Sequence, residues 1–180
     1  MKWMVWVGSV RNGSYNAAVA RSLSDLAPAG VTVELLPSVA ELPIYSEDIQ
    51  AEGFPPAVKA LGDAIAAADG LVIVTPEYNY SVPGGLKNAI DWVSRLKPMP
   101  IKGKPLLIQS ASMGALGGAR AQYHLRQILV TLDARVMNVP EVMIGAAHKK
   151  VSEAGELTDT GTRDFIGKQL AAFADFIAKT

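Results

Sequence analysis

The stretch KWMVWVGSVRNGSYNAAVARSLSDL, residues 2–26, sets the reading of the whole chain. Its nearly unbroken apolar run, Lys2 to Gly8, has the length of a strand covered on both faces of a sheet. The segment AAVARSLSDL is helix-forming, and between the two stands GSVRNGSYN, residues 8–16. Gly8 lets the chain turn sharply, Asn12-Gly13 is a turn dipeptide, and Ser14 or Asn16 stands where a helix N-cap belongs. A helix N-terminus attracts an anion through its free N–H groups and its dipole. Ser9, Ser14 and Asn16 add neutral donors there, and Arg11 adds a positive fork suited to phosphate.

Working outward, apolar runs of strand length alternate with amphipathic segments. VTVELL (31–36), GLVIVT (70–75), PLLIQSA (105–111) and ARVMNV (134–139) read as strands two to five. Helix faces follow from Val58, Leu61, Ile65 and Ala68, from Leu86, Ile90, Val93 and Lys97, and from Leu125, Ile128, Leu129 and Leu132. Ile166, Leu170, Phe173 and Ile177 make a last one. Five strands alternating with five helices predict a doubly wound α/β sandwich. The expected sheet is parallel, in order 2-1-3-4-5, with helices on both faces. No linker divides residues 1–180, so one domain is expected. The longest irregular stretches are 37–56 and 144–162.

In this topology ligands sit beyond the carboxyl ends of strands 1 and 3. The loop after strand 1 has neither the Gly-Lys-Ser/Thr ending of a P-loop nor the G-x-G-x-x-G of a dinucleotide fold, and a terminal phosphate monoester suits it better. After strand 3 comes TPEYNYSVPGGLKNAIDW, residues 75–92, where Tyr78, Tyr80, Asn79 and Glu77 lie between Pro76 and Pro83. Aromatic side chains and exposed backbone groups of that kind can flank and hydrogen-bond a flat heterocycle. After strand 4 comes SASMGALGGAR, residues 110–120, where Gly114, Gly117 and Gly118 allow a flat ligand or another backbone to come close.

The pairing of G-S-x-R-x-x-S-x-N with P-E-Y-N-x-S-x-P-G-x-L-K-N-A-I-D-W resembles the NADPH-dependent FMN reductases, above all their bacterial quinone and chromate reductases. SMGALGGARAQYHLRQIL is a third matching block. The resemblance implies a flavodoxin-like domain binding one FMN, with NADPH or NADH as co-substrate. Ser9, Arg11, Ser14, Asn16 and Ala17 would hold the ribityl phosphate. Pro76, Glu77, Tyr78 and Asn79, with Ser110, Met113 and Gly114, would hold the isoalloxazine ring. Tyr80 and Gly117 are placed beside the substrate. No side chain is given a catalytic role, because hydride would pass at flavin N5 and leave again in a ping-pong cycle. Quinones, free flavin, chromate, nitro and azo compounds are the expected acceptors, and a homodimer or homotetramer the expected assembly. A flavodoxin-like electron carrier without turnover of its own is the alternative.

Composition narrows the field further. Lys plus Arg and Asp plus Glu are 17 each, which gives no general attraction to nucleic acid or to anionic lipid, and none to the basic partners of an acidic carrier. The absence of cysteine excludes thiolate metal sites and Cys nucleophiles, and His124 and His148 lack metal-ligand spacing. No run is apolar enough to cross a bilayer and no signal-peptide pattern opens the chain, so a cytoplasmic protein is expected. Arg120, Tyr123 and His124 are read as surface or subunit-contact residues, with an exposed Trp92 beside Tyr123 in that contact.

Overall fold

The computed structural model describes residues 1–179. Four strands fall where the apolar runs put them: β1 (Lys2–Val7), β2 (Thr32–Leu35), β3 (Gly70–Thr75) and β4 (Pro105–Ala111). They pair in parallel, and the sheet order is β2-β1-β3-β4-β5, the flavodoxin-like solution. The fifth strand departs from expectation. It consists of β5 (Arg135–Val136) and, after a break, β6 (Val142–Ile144), and both lie along the same edge of β4. Pro140 lies in the break; it has no N–H to give a ladder, so a strand running through it is interrupted.

The helices are α1 (Tyr15–Leu26), α2 (Glu47–Glu52), α3 (Pro56–Ala66), α4 (Gly84–Val93), α5 (Ala119–Val130) and α6 (Thr160–Ala178). Alternation along the strands divides the core in two. Met4, Trp6, Leu71, Ile73, Leu106 and Ile108 face α3, α4 and α5, whereas Trp3, Val5, Val72, Val74 and Leu107 face α1 and α6. β3 and β4 are buried along their whole length, as expected of strands covered on both sides.

Other readings change as well: Ala68 lies beyond the end of α3 and Leu132 beyond the end of α5, though both stay buried in the core. Helix α4 stops at Val93, so Lys97 is outside it; the residue before a proline is disfavoured in helical conformation, and Pro98 follows. The segment 37–56 is not irregular throughout: it holds a 3-10 turn at Val39–Glu41 and then α2. Trp92 is fully buried and takes no part in an exposed contact, because that segment covers it. Its Nε1 donates to the Pro43 carbonyl at 2.8 Å, and the Tyr45 ring meets it edge-on at 5.0 Å.

Candidate functional site

Register places the carboxyl ends of β1, β3 and β4 side by side: Val7 pairs with Val74, and Thr75 with Ser110. The three loops that leave those ends therefore share one edge of the molecule. Gly8 begins the first. Its N–H donates to Val74 O at 2.9 Å, and a Cβ there would stand 2.7 Å from Thr75 Oγ1, so only glycine lets the turn start this close to β3.

In the first loop Ser14 is the N-cap of α1 and accepts from the Ala17 N–H at 3.3 Å. Ser9 Oγ accepts a long bond from Arg11 N (3.4 Å). The Arg11 guanidinium donates to Gly13 O at 2.8 Å and lies 5.1 Å from the Tyr15 ring centroid. Among the described residues, the N–H groups of Ser9, Val10, Asn12, Gly13, Tyr15 and Asn16 have no protein acceptor. That is a dense set of free donors at a helix N-terminus. The Asn16 side chain faces elsewhere. It is buried, donates to Ala111 O and accepts from Ala111 N, both at 2.9 Å, and so ties the start of α1 to the end of β4.

The second loop is a tight hairpin. Tyr78 and Ser81 exchange two backbone hydrogen bonds of 3.0 Å, and Asn79 and Tyr80 between them have φ of 49° and 65°. Positive φ at both central positions is the type I′ arrangement. Pro76 is buried beneath it, while Tyr78 and Tyr80 project outward, 46% and 63% exposed. The Glu77 carboxylate turns toward the neighbouring loop. Its Oε2 accepts from Arg120 N (3.0 Å) and Ala121 N (3.2 Å), and Oε1 lies 3.6 Å from the Arg120 guanidinium. Helix α5 has Gly118 as its N-cap and so no cap side chain of its own; Glu77 supplies one across space. Arg120 in turn lies over the Tyr80 ring at 4.0 Å, and Ser81 Oγ is 3.1 Å from His124 Nδ1.

The third loop is tied to β6 and the residues after it. Ser112 N donates to Ile144 O (3.0 Å), Ala147 N to Ser112 O (2.9 Å) and Ala146 N to Gly114 O (3.2 Å). Gly117, expected beside the substrate, is buried: a Cβ on it would meet the Met143 carbonyl carbon at 2.5 Å. Its closest neighbour is another backbone, one of the two partners its small size allowed. Gly114 is open, with nothing nearer to a Cβ than Ser112 Oγ at 3.8 Å, and Met113 beside it is 63% exposed. The N–H groups of Met113, Gly114 and Ala115 have no protein acceptor among the described residues. Ser110 is fully buried and its hydroxyl donates to Gly117 O at 2.6 Å.

Sequence reasoning missed the buried glutamines. Gln109, Gln122 and Gln169 are almost completely enclosed and hydrogen-bonded near the break in the fifth strand. Only Gln109 carried a signal, as the one amide inside the apolar run PLLIQSA. Among the described residues no group of three His, Asp or Glu is arranged to hold a metal, and no helix is long and apolar enough to cross a membrane. A separate cleft beside Arg21, Asp25 and Arg163 shares no residue with the three loops; both arginines there donate to backbone carbonyls, of Gly155 and Leu157.

Comparison with known proteins gives one family and consistent relatives. A family model described as NADPH-dependent FMN reductase matches residues 1–149. A protein of Escherichia coli named quinone reductase is 59% identical over 175 residues, covering 96% of this chain and 93% of the relative. An NAD(P)H-dependent FMN reductase of Pseudomonas aeruginosa is 50% identical over 165 residues, covering 92% and 89%. Among solved structures, the flavoenzyme NAD(P)H:(acceptor) oxidoreductase FerB of Paracoccus denitrificans superposes with a TM-score of 0.88 at 36% identity, covering 99% of this chain and 97% of that one.

Proposed function

The chain belongs to the NADPH-dependent FMN reductase family, and from that premise we propose that it is an NAD(P)H-dependent oxidoreductase holding FMN at the carboxyl edge of its sheet and reducing quinones. The observation that carries this reading is the set of six N–H donors without protein acceptors in residues 9–16, beside Arg11, at the switch point beyond β1 and β3. A phosphate monoester fits that set because its oxygens can be approached from several directions by neutral N–H groups and by one guanidinium. Ser9, Ser14 and Ala17 line the same turn, and Asn16 contributes by fixing the helix start to β4.

Pro76–Asn79 and Ser110–Gly114 would hold the ring between them. Bound there, FMN would supply hydride chemistry between NADPH or NADH and an acceptor. The protein's part is position and charge. Free N–H groups of Met113 and Gly114 provide donors for negative charge on a reduced ring. Glu77 and Arg120 lock the second loop to the third, so both walls of the ring site move together. Exposed Tyr78, Tyr80 and Met113 leave one open face, over which nicotinamide and acceptor take turns in a ping-pong order. An open, weakly selective face also suits free flavin, chromate, nitro and azo compounds as acceptors. The assembly proposed with this reading is a homodimer or homotetramer in the cytoplasm.

Titration with FMN, followed by initial rates with NADPH and a quinone, tests the reading. Tight FMN binding and parallel double-reciprocal lines are expected. FMN binding without nicotinamide oxidation would instead mark an electron carrier, which the balanced charge of the chain does not favour. Arg11→Ala should weaken FMN binding about tenfold, the worth of one charge-assisted phosphate contact. Unchanged affinity removes Arg11 from the site.

A further inference from the structure

We propose that Gln122 is a positioning residue for the ring-binding loop, acting through the Ser110 hydroxyl on the Gly117 carbonyl; this rests on the placement of the flavin ring proposed above. Gln122 lies on α5, fully buried. Its Nε2 donates to Ser110 Oγ at 2.7 Å and to Val142 O at 2.8 Å. Ser110 Oγ donates onward to Gly117 O at 2.6 Å. The direction of this chain is forced. Val142 O and Gly117 O are carbonyls and can only accept, so the glutamine must turn its NH2 toward Val142, and the serine must spend its single proton on Gly117. The serine oxygen is then left to accept from Gln122.

One side chain thereby grips both partners of the contact on which the third loop depends. It holds β6 by Val142, and it holds the loop by way of Ser110 and Gly117. Gly117 sits against the Met143–Ile144 backbone, and Gly117 N reaches Gly114 O at 3.5 Å, so the end of the chain is one peptide bond contact from Gly114. Gln122 Oε1, by contrast, is buried without a partner. A core residue kept for packing alone has no reason to bury an amide whose carbonyl is unsatisfied. The donors of that amide account for its presence. Gln169 provides the contrast: it also is buried, but its bonds go to Gln109 and Pro140 O and none reach the loop.

The test uses the full chain with Gln122→Met, which keeps length and apolar volume but removes both donors, with Ser110→Ala, and with the double variant. Two quantities are read: the FMN dissociation constant and the hydrogen exchange, in FMN-free protein, of the Ser112, Ala146 and Ala147 amides, whose N–H groups are bonded across the contact between the loop and the residues at the end of β6. Expected are faster exchange confined to those amides and FMN binding about tenfold weaker, the effect of leaving a buried acceptor unpaired. The double variant should lose little more than either single one, because the two side chains act in series. Gln169→Met should lower the melting temperature without either change. If Gln122→Met does not fold, Ser110→Ala breaks the same chain at the cost of one hydroxyl and carries the same expectations. Folded variants with wild-type loop exchange and affinity overturn the proposal. Wild-type protein that fails to bind FMN overturns the ring placement instead, and loop exchange still decides whether Gln122 positions the loop.

Discussion

The turn after β1 and the loop after β4 leave the same edge of the sheet and, among the described residues, both carry N–H groups without protein acceptors, but they are anchored to the rest of the molecule in opposite ways. Residues 9–16 leave six N–H groups without protein acceptors, and their few internal bonds include a long one from Arg11 N to Ser9. Residues 110–118 are fixed from outside, by β6 and the residues after it, by Ser110 and Gln122, and by Glu77 at the start of α5. The difference teaches that the two ends of one ligand can be served by different strategies. A charged tail is met by donors that solvent or ligand must fill. A flat ring needs walls that stand without it, and the loop after β4 is held by bonds to other segments while its tip, Met113 to Ala115, keeps its N–H groups free.

Glycine substitution is the sharpest way to test that contrast. Gly117→Ala should destabilise the fold by about 3 to 5 kcal/mol, the sum of left-handed strain and of overpacking against a backbone that cannot yield. Urea unfolding measures it. Asn16→Ala comes next. It leaves the Ala111 N–H and C=O unpaired in a buried place and should cost about 2 to 3 kcal/mol in the same measurement. Gly13→Ala, in the open turn, meets nothing within 4 Å and carries only the strain of φ +68°, about 1 kcal/mol. If Gly13→Ala costs as much as Gly117→Ala, the two loops are equally rigid and the comparison falls.

The smallest effect lies outside both loops and serves as their control. Hydrogen bonds from the Thr162 side chain, and then from its backbone N–H, hold the Asp159 carboxyl below its ordinary value of 3.8. The unfolded chain therefore binds this proton at higher pH than the folded one. The stabilisation is present above pH 3.8 and is lost as pH falls through the lowered folded value. Asp159→Asn should flatten the acid limb of stability against pH and leave FMN affinity unchanged.

Strand order, the helix faces and the three loop positions were legible because hydrophobic period and turn chemistry are local signals. Ser14 as N-cap and the close approach at Gly8 belong to that legible part. What escaped was set by partners far away in sequence. Trp92 reads as an exposed contact residue with Tyr123, and nothing local shows that residues 43–45 fold over it. The Glu77 carboxylate was not legible as the cap of α5, a helix without a cap side chain of its own. Pro140 was visible, but nothing local shows that pairing resumes at Val142–Ile144, where Gln122 bonds Val142 O, or that Gln169 bonds the Pro140 carbonyl in the break.

The interrupted fifth strand has a consequence for how molecules meet one another. The sheet ends on one side in a two-residue and a three-residue ladder with a proline between them, and on the other in the four-residue β2. Neither border offers a long, flat row of unpaired amides on which a stranger's strand could template itself. The six- and seven-residue central strands, which would be the dangerous ones, are sealed inside. A chain nearly half apolar and without net charge to keep copies apart thus presents only short, broken margins to its neighbours, a poor template for fibrous stacking.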